Sequence, residues 1–254
     1  MMEMKSAMGM RALAFLNGLT GEWNEVAFRG PVDAELLEYR HGGQTPLLAT
    51  LSLGLYPQAA WLVKKGANIT VSDNQGNGVV YRLLKDDTPT AHVFFDRHIA
   101  TLPSVEERNA ACEGVFDRLW DLALQGRVEN ALQWLQRLTV VGIYPPAITQ
   151  AEPTLIWMVE QVARAMSAPP WNSERNQKEA SLWQEILDVC MPHLDLDAVD
   201  LRGWQVEDVL LRRSAHVPAA VRQRLMGLIS STREHLRLHQ DTKDASSAET
   251  PRRL

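Results

Sequence analysis

Cysteine is scarce in this chain: two residues in 254, Cys112 and Cys190. Each lies in an apolar helical run, and no pair has metal-ligand spacing. A disulfide framework and a zinc module are therefore not expected, and both thiols read as reduced, buried, small hydrophobes. Long apolar runs are missing too. No stretch reaches 18 apolar residues, and the run Ala12–Leu16 is bounded by Arg11 and Asn17 with no small-x-small site after it. Neither a membrane helix nor a secretory leader is expected, and the compartment reads as cytoplasmic. Positive charge is not in excess: 26 Lys and Arg face 31 Asp and Glu, a formal charge of −5. That argues against nucleic acid, whose phosphates need a basic surface, and permits a basic protein partner. Catalytic signatures are absent as well. There is no P-loop, no G-x-G-x-x-G and no serine in a nucleophile elbow. His92 and Asp96, followed by His98, and His235 and His239 stand one helical turn apart, but neither pair has a third ligand near it in sequence. They read as solvated helix residues. No metal and no cofactor is expected.

What the sequence does contain is a unit bracketed by Gly43 and Gly76, at a spacing of about 33 residues. Thr45 can cap a helix, and Pro46 fits its first position, where a missing N–H costs nothing. Leu47, Leu48, Leu51 and Leu53 supply apolar faces, and Gly54 breaks the helix. Pro57 can open a second helix carried by Ala60, Trp61, Leu62 and Val63, which ends at Gly66. Ala67, Asn68 and Ile69 then lead into a polar hairpin at Ser72-Asp73-Asn74-Gln75-Gly76. Over its whole length this unit resembles the ankyrin repeat, G-x-TPL…A…G…A…LL…GA(D/N)(I/V)…D..G. It departs at Leu48, where the family usually has His, which removes one polar link between neighbouring repeats.

Partial echoes follow. Asp195 to Trp204 resembles the D-V-N-A-x-D-x-x-G-W link between repeats, and Trp183–Met191 before it has outer-helix spacing. Ala123 to Leu135 resembles the A-x-x-G-x-x-E-x-A-x-x-L-L helix-turn-helix core. Leu36 to Leu47 resembles a degenerate finger with Tyr39, Arg40, His41 and Gly42 at its tip. Ser104 and Glu107 form a capping box that predicts a helix of about twenty residues ending near Gln125. Breakers predict loops at 18–31 and 139–150 and an inserted loop at 168–173. The expected fold is all-α: an ankyrin-type solenoid of stacked helix pairs with hairpin-like fingers, one divergent domain over residues 1–240 with capping helices at both ends, and a disordered tail at 241–254.

The resemblance implies protein binding through finger tips rather than chemistry in a cavity. The candidate contact residues are Tyr39, Arg40, His41, Asn74, Gln75, Tyr144, Leu201, Arg202 and Trp204, joined by Trp171 in the Pro-Pro-Trp-Asn loop. Trp61, Trp120, Trp134, Trp157 and Trp183 read as core, which leaves Trp171 and Trp204 as exposed anchors. The ankyrin reading spreads Asp188, Asp195, Asp197, Asp200, Glu207 and Asp208 along a hairpin and two helices, and an acidic patch for a basic partner is the functional alternative. Small stand-alone ankyrin-like proteins of bacteria resemble immunity or antitoxin proteins that cover a toxin, and the acidic charge fits that role. An adaptor or effector docking onto another protein is the alternative. An enzyme with its site in the degenerate central region is the reading from a different class.

Overall fold

The structure is a computed structural model that describes residues 2–21, 31–149, 152–167, 173–212, 219, 222–223, 225–227 and 229–234. Helices dominate the described residues, as the periodicity of the apolar positions requires. The chain divides into two compact units, Met1–Leu122 with Val140–Ile143, and Ala123–Thr139 with Tyr144–Leu254.

The first unit begins with α1 (Met2–Thr20), which continues through Gly18 to Thr20 where a break was expected. A single helical turn, α2 (Ala34–Leu37), is capped by the Asp33 carboxylate. The expected helix pair follows as α3 (Pro46–Ser52) and α4 (Tyr56–Lys64). The Thr45 hydroxyl accepts from the Leu48 N–H and caps α3. Leu47, Leu48 and Leu62 are fully buried, so Leu48 packs as an apolar residue where the related pattern places a polar one. The next pair is α5 (Val79–Asp86) and α6 (Pro89–Phe94), and α6 runs on as a π-helical turn over Phe95–Ile99.

The Ser104–Glu107 capping box forms, but the twenty-residue helix does not. It is split into α7 (Val105–Ala111) and α8 (Val115–Leu124). Between them the Glu113 carbonyl accepts from the Gly78 N–H at 2.9 Å, and Gly114 takes φ +70°. The left-handed Gly114 takes the chain out of the helical conformation, so the helix stops there.

The second unit contains α9 (Val128–Val140), a short hairpin of β1 (Ile148–Thr149) and β2 (Glu152–Pro153), α10 (Thr154–Ser167), α11 (Glu174–Cys190) and α12 (Val206–Arg212). Described residues between 219 and 234 are helical. α10 packs against both α11 and α12. The Trp157 and Trp183 rings meet edge to face at 5.8 Å between α10 and α11. Trp61, Trp120, Trp134, Trp157 and Trp183 are all buried, as expected.

Two loops share one hydrogen-bond plan. In residues 67–78 the Asp73 N–H donates to the Asn77 carbonyl, the Gly76 N–H donates to the Asp73 carbonyl, and Asp73 Oδ1 accepts from Gln75 and Asn77 N–H. In residues 194–205 the Asp200 N–H donates to the Trp204 carbonyl, the Gly203 N–H donates to the Asp200 carbonyl, and Asp200 Oδ1 accepts from Arg202 and Trp204 N–H. Gly76 and Gly203 both take positive φ, 78° and 75°, at the position that reverses the chain. Earlier in each loop an Asx turn precedes this reversal, at Asn68 in one and Asp195 in the other.

Candidate functional site

The finger at 194–205 leads into the site. Its turn is closed entirely by main-chain groups, the Asp200 carboxylate and Gly203. The side chains of Leu201 and Arg202 at the tip therefore contribute no hydrogen bond to the turn. Leu201 is 91% exposed, with Val140 next among the large apolar side chains at 86%. Trp204 is half-buried. Its ring lies 3.6 Å from the Arg212 guanidinium carbon and 5.2 Å from that of Arg202. Among the described residues Trp204 is the one tryptophan that is not buried.

Beside this ring opens a cleft of about 690 Å³, within the range of ligand-binding clefts. Its floor and one wall come from Ile156, Glu160 and Arg164 on α10, with Glu152 of β2 at the rim. The other wall comes from the finger and α12, through Asp200, Arg202, Trp204 and Arg212. Helical spacing explains the α10 contribution, since residues 156, 160 and 164 fall on one face. Glu160 Oε2 meets Arg164 Nη2 at 3.3 Å across one turn. The Asp200 Oδ1 is occupied by two main-chain N–H groups. Arg202 and Arg212 reach no carboxylate within 4 Å among the described residues, and the contact recorded for each guanidinium group is with the Trp204 ring.

Besides Asp200, four acids of this stretch engage other groups of the chain. Asp197 and Glu207 both meet Arg233, at 3.2 and 2.7 Å. Asp195 and Asp208 accept main-chain N–H groups of Asp197 and Gln205. Each is a turn, cap or ion-pair residue, so their clustering in sequence has a structural cause.

The other candidate contact residues fall into separate groups. In the first unit Tyr39, Arg40, His41, Asn74 and Gln75 lie on two adjacent fingers. Asn68 N–H donates to Glu38 Oε1 at 2.8 Å, and the Asn74 amide lies so close to Gly43 that a Cβ there would meet its Nδ2 at 2.6 Å. Arg40 donates to the Gly43 carbonyl, and His41 pairs with Gln44 through the main chain. Asn74 and Gln75 are exposed. In the second unit Tyr144 stacks on His193 at 3.6 Å rather than standing free, and it does not line the cleft. Burial lowers the His193 pKa, which favours the neutral ring in that stack. Trp171, His235 and His239 lie outside the described residues.

The two cysteines are not poised as nucleophiles. Burial pushes the Cys112 thiol up to about 12 and Cys190 further in the same direction, so neither forms a thiolate near neutral pH. Among the described residues no group of three or more His, Cys, Asp or Glu side chains could hold a metal ion. No helix among them is long and apolar enough to cross a membrane. His98 packs on Phe94 at 4.7 Å, and burial followed by the Arg97 charge lowers its pKa. His92 meets the Asp87 carboxylate at 3.5 Å.

Glu152, Glu160, Arg164 and Arg212 did not emerge as site residues from the sequence. The only local signal was the Glu160–Arg164 spacing, which fits an ordinary surface ion pair equally well. No family model matches the chain, and no curated protein matches it.

Proposed function

We propose that this chain is a non-catalytic protein-binding module that uses the 194–205 finger and the adjoining cleft as its contact surface. The observation that carries the reading is Leu201, a large apolar side chain almost wholly exposed at the tip of a turn that does not depend on it. Flanked by an arginine and a half-buried tryptophan, it has the composition of an interface anchor. The shared turn plan of residues 67–78 and 194–205 supports an ankyrin-type repeat architecture for the chain.

The specific role we put first is cytoplasmic masking of a toxin by an immunity-type protein. Docking as an adaptor or effector is the alternative. The two separate on whether the partner carries a toxic activity that the complex suppresses. The test is co-purification with tagged chain, followed by identification of the partner and comparison with the product of the adjacent gene. Replacing Arg202 and Trp204 together by Ala should weaken the complex by about 2 kcal/mol or more, as interface hot spots do. Unchanged affinity in a folded double variant would reject this surface.

A further inference from the structure

The cleft beside Trp204 holds three arginines and three acids, but the charges are not equally committed. Arg164 is paired with Glu160, and Asp200 closes the finger turn. Arg202, Arg212 and Glu152 have no ion-pair partner within 4 Å among the described residues, which leaves two uncommitted cations against one anion, and the Arg212 and Arg202 guanidinium carbons lie 3.6 and 5.2 Å from the Trp204 ring centroid. A guanidinium that rests one face on an aromatic ring keeps its N–H groups free in its own plane, where they suit a planar bidentate acceptor. The ring also restricts the side chain before any ligand arrives, which lowers the entropy lost on binding.

We propose that this cleft captures a carboxylate side chain, an Asp or Glu, on an extended segment of the partner protein, with Leu201 packing on an apolar neighbour of that residue. The inference rests on the protein-binding reading and names the chemistry the partner must present. A carboxylate carries one charge and presents two oxygens in the geometry of a guanidinium fork. A phosphate monoester brings nearly two charges, and Glu152 and Glu160 in the same cleft disfavour it. Net charge points the other way, since a chain at −5 attracts basic partners at long range. Net charge governs encounter, whereas uncommitted groups inside a cleft decide what is held there.

The test uses the full chain and four probes: the capped peptide acetyl-Ala-Leu-Glu-Glu-Leu-Ala-amide, its Gln-for-Glu counterpart, its phosphoserine-for-Glu counterpart, and N-acetylglutamate. Binding is followed by calorimetry and by the arginine Nε–H resonances. The expected result is that the Glu peptide shifts the Arg202 and Arg212 signals and binds at least about tenfold more tightly than the Gln peptide, the scale of one charged hydrogen-bonded contact. Arg202→Gln and Arg212→Gln should each erase most of that difference. Arg175→Gln, an equal charge change at an exposed residue outside the cleft, should not. Equal affinity for the Glu and Gln peptides overturns the proposal. So does tighter binding of the phosphoserine peptide, equal binding of N-acetylglutamate, or an equal loss in Arg175→Gln. A partner that binds Arg202→Gln and Arg212→Gln as tightly as wild type overturns the carboxylate site while leaving protein binding intact. If the peptide arm succeeds but no protein co-purifies with the tagged full chain, the protein-binding reading falls instead.

Discussion

Asp73 in the first finger should be worth far more to stability than Asp200 in the second, although both close the same turn. Each carboxylate accepts two main-chain N–H groups. Asp73 also pairs with Arg82, and both side chains of that pair are under 10% exposed. The helical position of Arg82 in α5 is taken by Val209 in α12, so Asp200 has no counterpart to this ion pair. Asp73→Ala strands a buried guanidinium and two N–H donors. Loss of one partner from a buried pair costs about 3–5 kcal/mol. Asp200→Ala removes only the turn acceptor, a loss of about 1–3 kcal/mol. Asp73→Asn should fall between, because its amide oxygen can still accept in the turn. The pH dependence carries a sign. Burial alone would raise the Asp73 carboxyl, but the Asn77 and Gln75 N–H groups, the Asn77 amide and the Arg82 charge outweigh it and hold it below the usual range. A depressed folded-state value means that the stabilisation is complete above the unfolded pKa, about 3.9, and is lost as pH falls through the folded value. Urea unfolding should therefore show a wild-type advantage over Asp73→Ala that is constant from pH 7 to about 5 and shrinks below about 4. A loss under about 1 kcal/mol at pH 7, or equal losses for Asp73→Ala and Asp200→Ala, would refute the reasoning.

Trp183→Ala should cost about 3–5 kcal/mol and Leu62→Ala about 2–5 kcal/mol in urea unfolding, since both side chains are buried and the Trp183 ring also loses its edge contact with Trp157. Cys112 and Cys190 should resist a thiol reagent at pH 8 in the native protein and react together on unfolding, because both are buried and held as neutral thiols. Replacing Leu201-Arg202 by the Asn-Gln found at the tip of the first finger should change the unfolding free energy by less than about 0.5 kcal/mol while abolishing partner binding. Loss of the fold in that variant would mean the tip is structural.

The helix pair of residues 46–64 was legible because every signal agreed: cap, proline, apolar period and terminal glycine. The finger at 194–205 was legible for the same reason, its Asp and Gly standing where the turn needs them. The split of the expected helix at 105–125 was not. The local signal was Gly114, a helix breaker at positive φ that the apolar period around it masked, and the Gly78–Glu113 hydrogen bond at the break joins segments distant in sequence. Within the acidic run from Asp188 to Asp208, Arg233, distant along the chain, engages Asp197 and Glu207, a pairing that no local spacing announces. The cleft was hidden because its walls come from three separated segments, and a spacing rule sees one segment at a time.

The two fingers show how a recognition surface can vary without disturbing the chain that carries it. In each, the reversal depends on an Asp side chain, a Gly at positive φ and main-chain groups. Side chains at Asn74 and Gln75, or at Leu201 and Arg202, enter none of these bonds as side chains of the turn, with one exception: Gln75 Oε1 accepts from the Asn77 amide. The corresponding step in the second finger replaces Asn77 by Trp204 and Gln75 by Arg202, and a hydrogen bond becomes a cation–ring contact. The first arrangement consumes its polar groups within the loop. The second leaves a guanidinium unspent and an aromatic face to support it. The chemical difference between the two fingers therefore lies in two side chains on an unchanged turn.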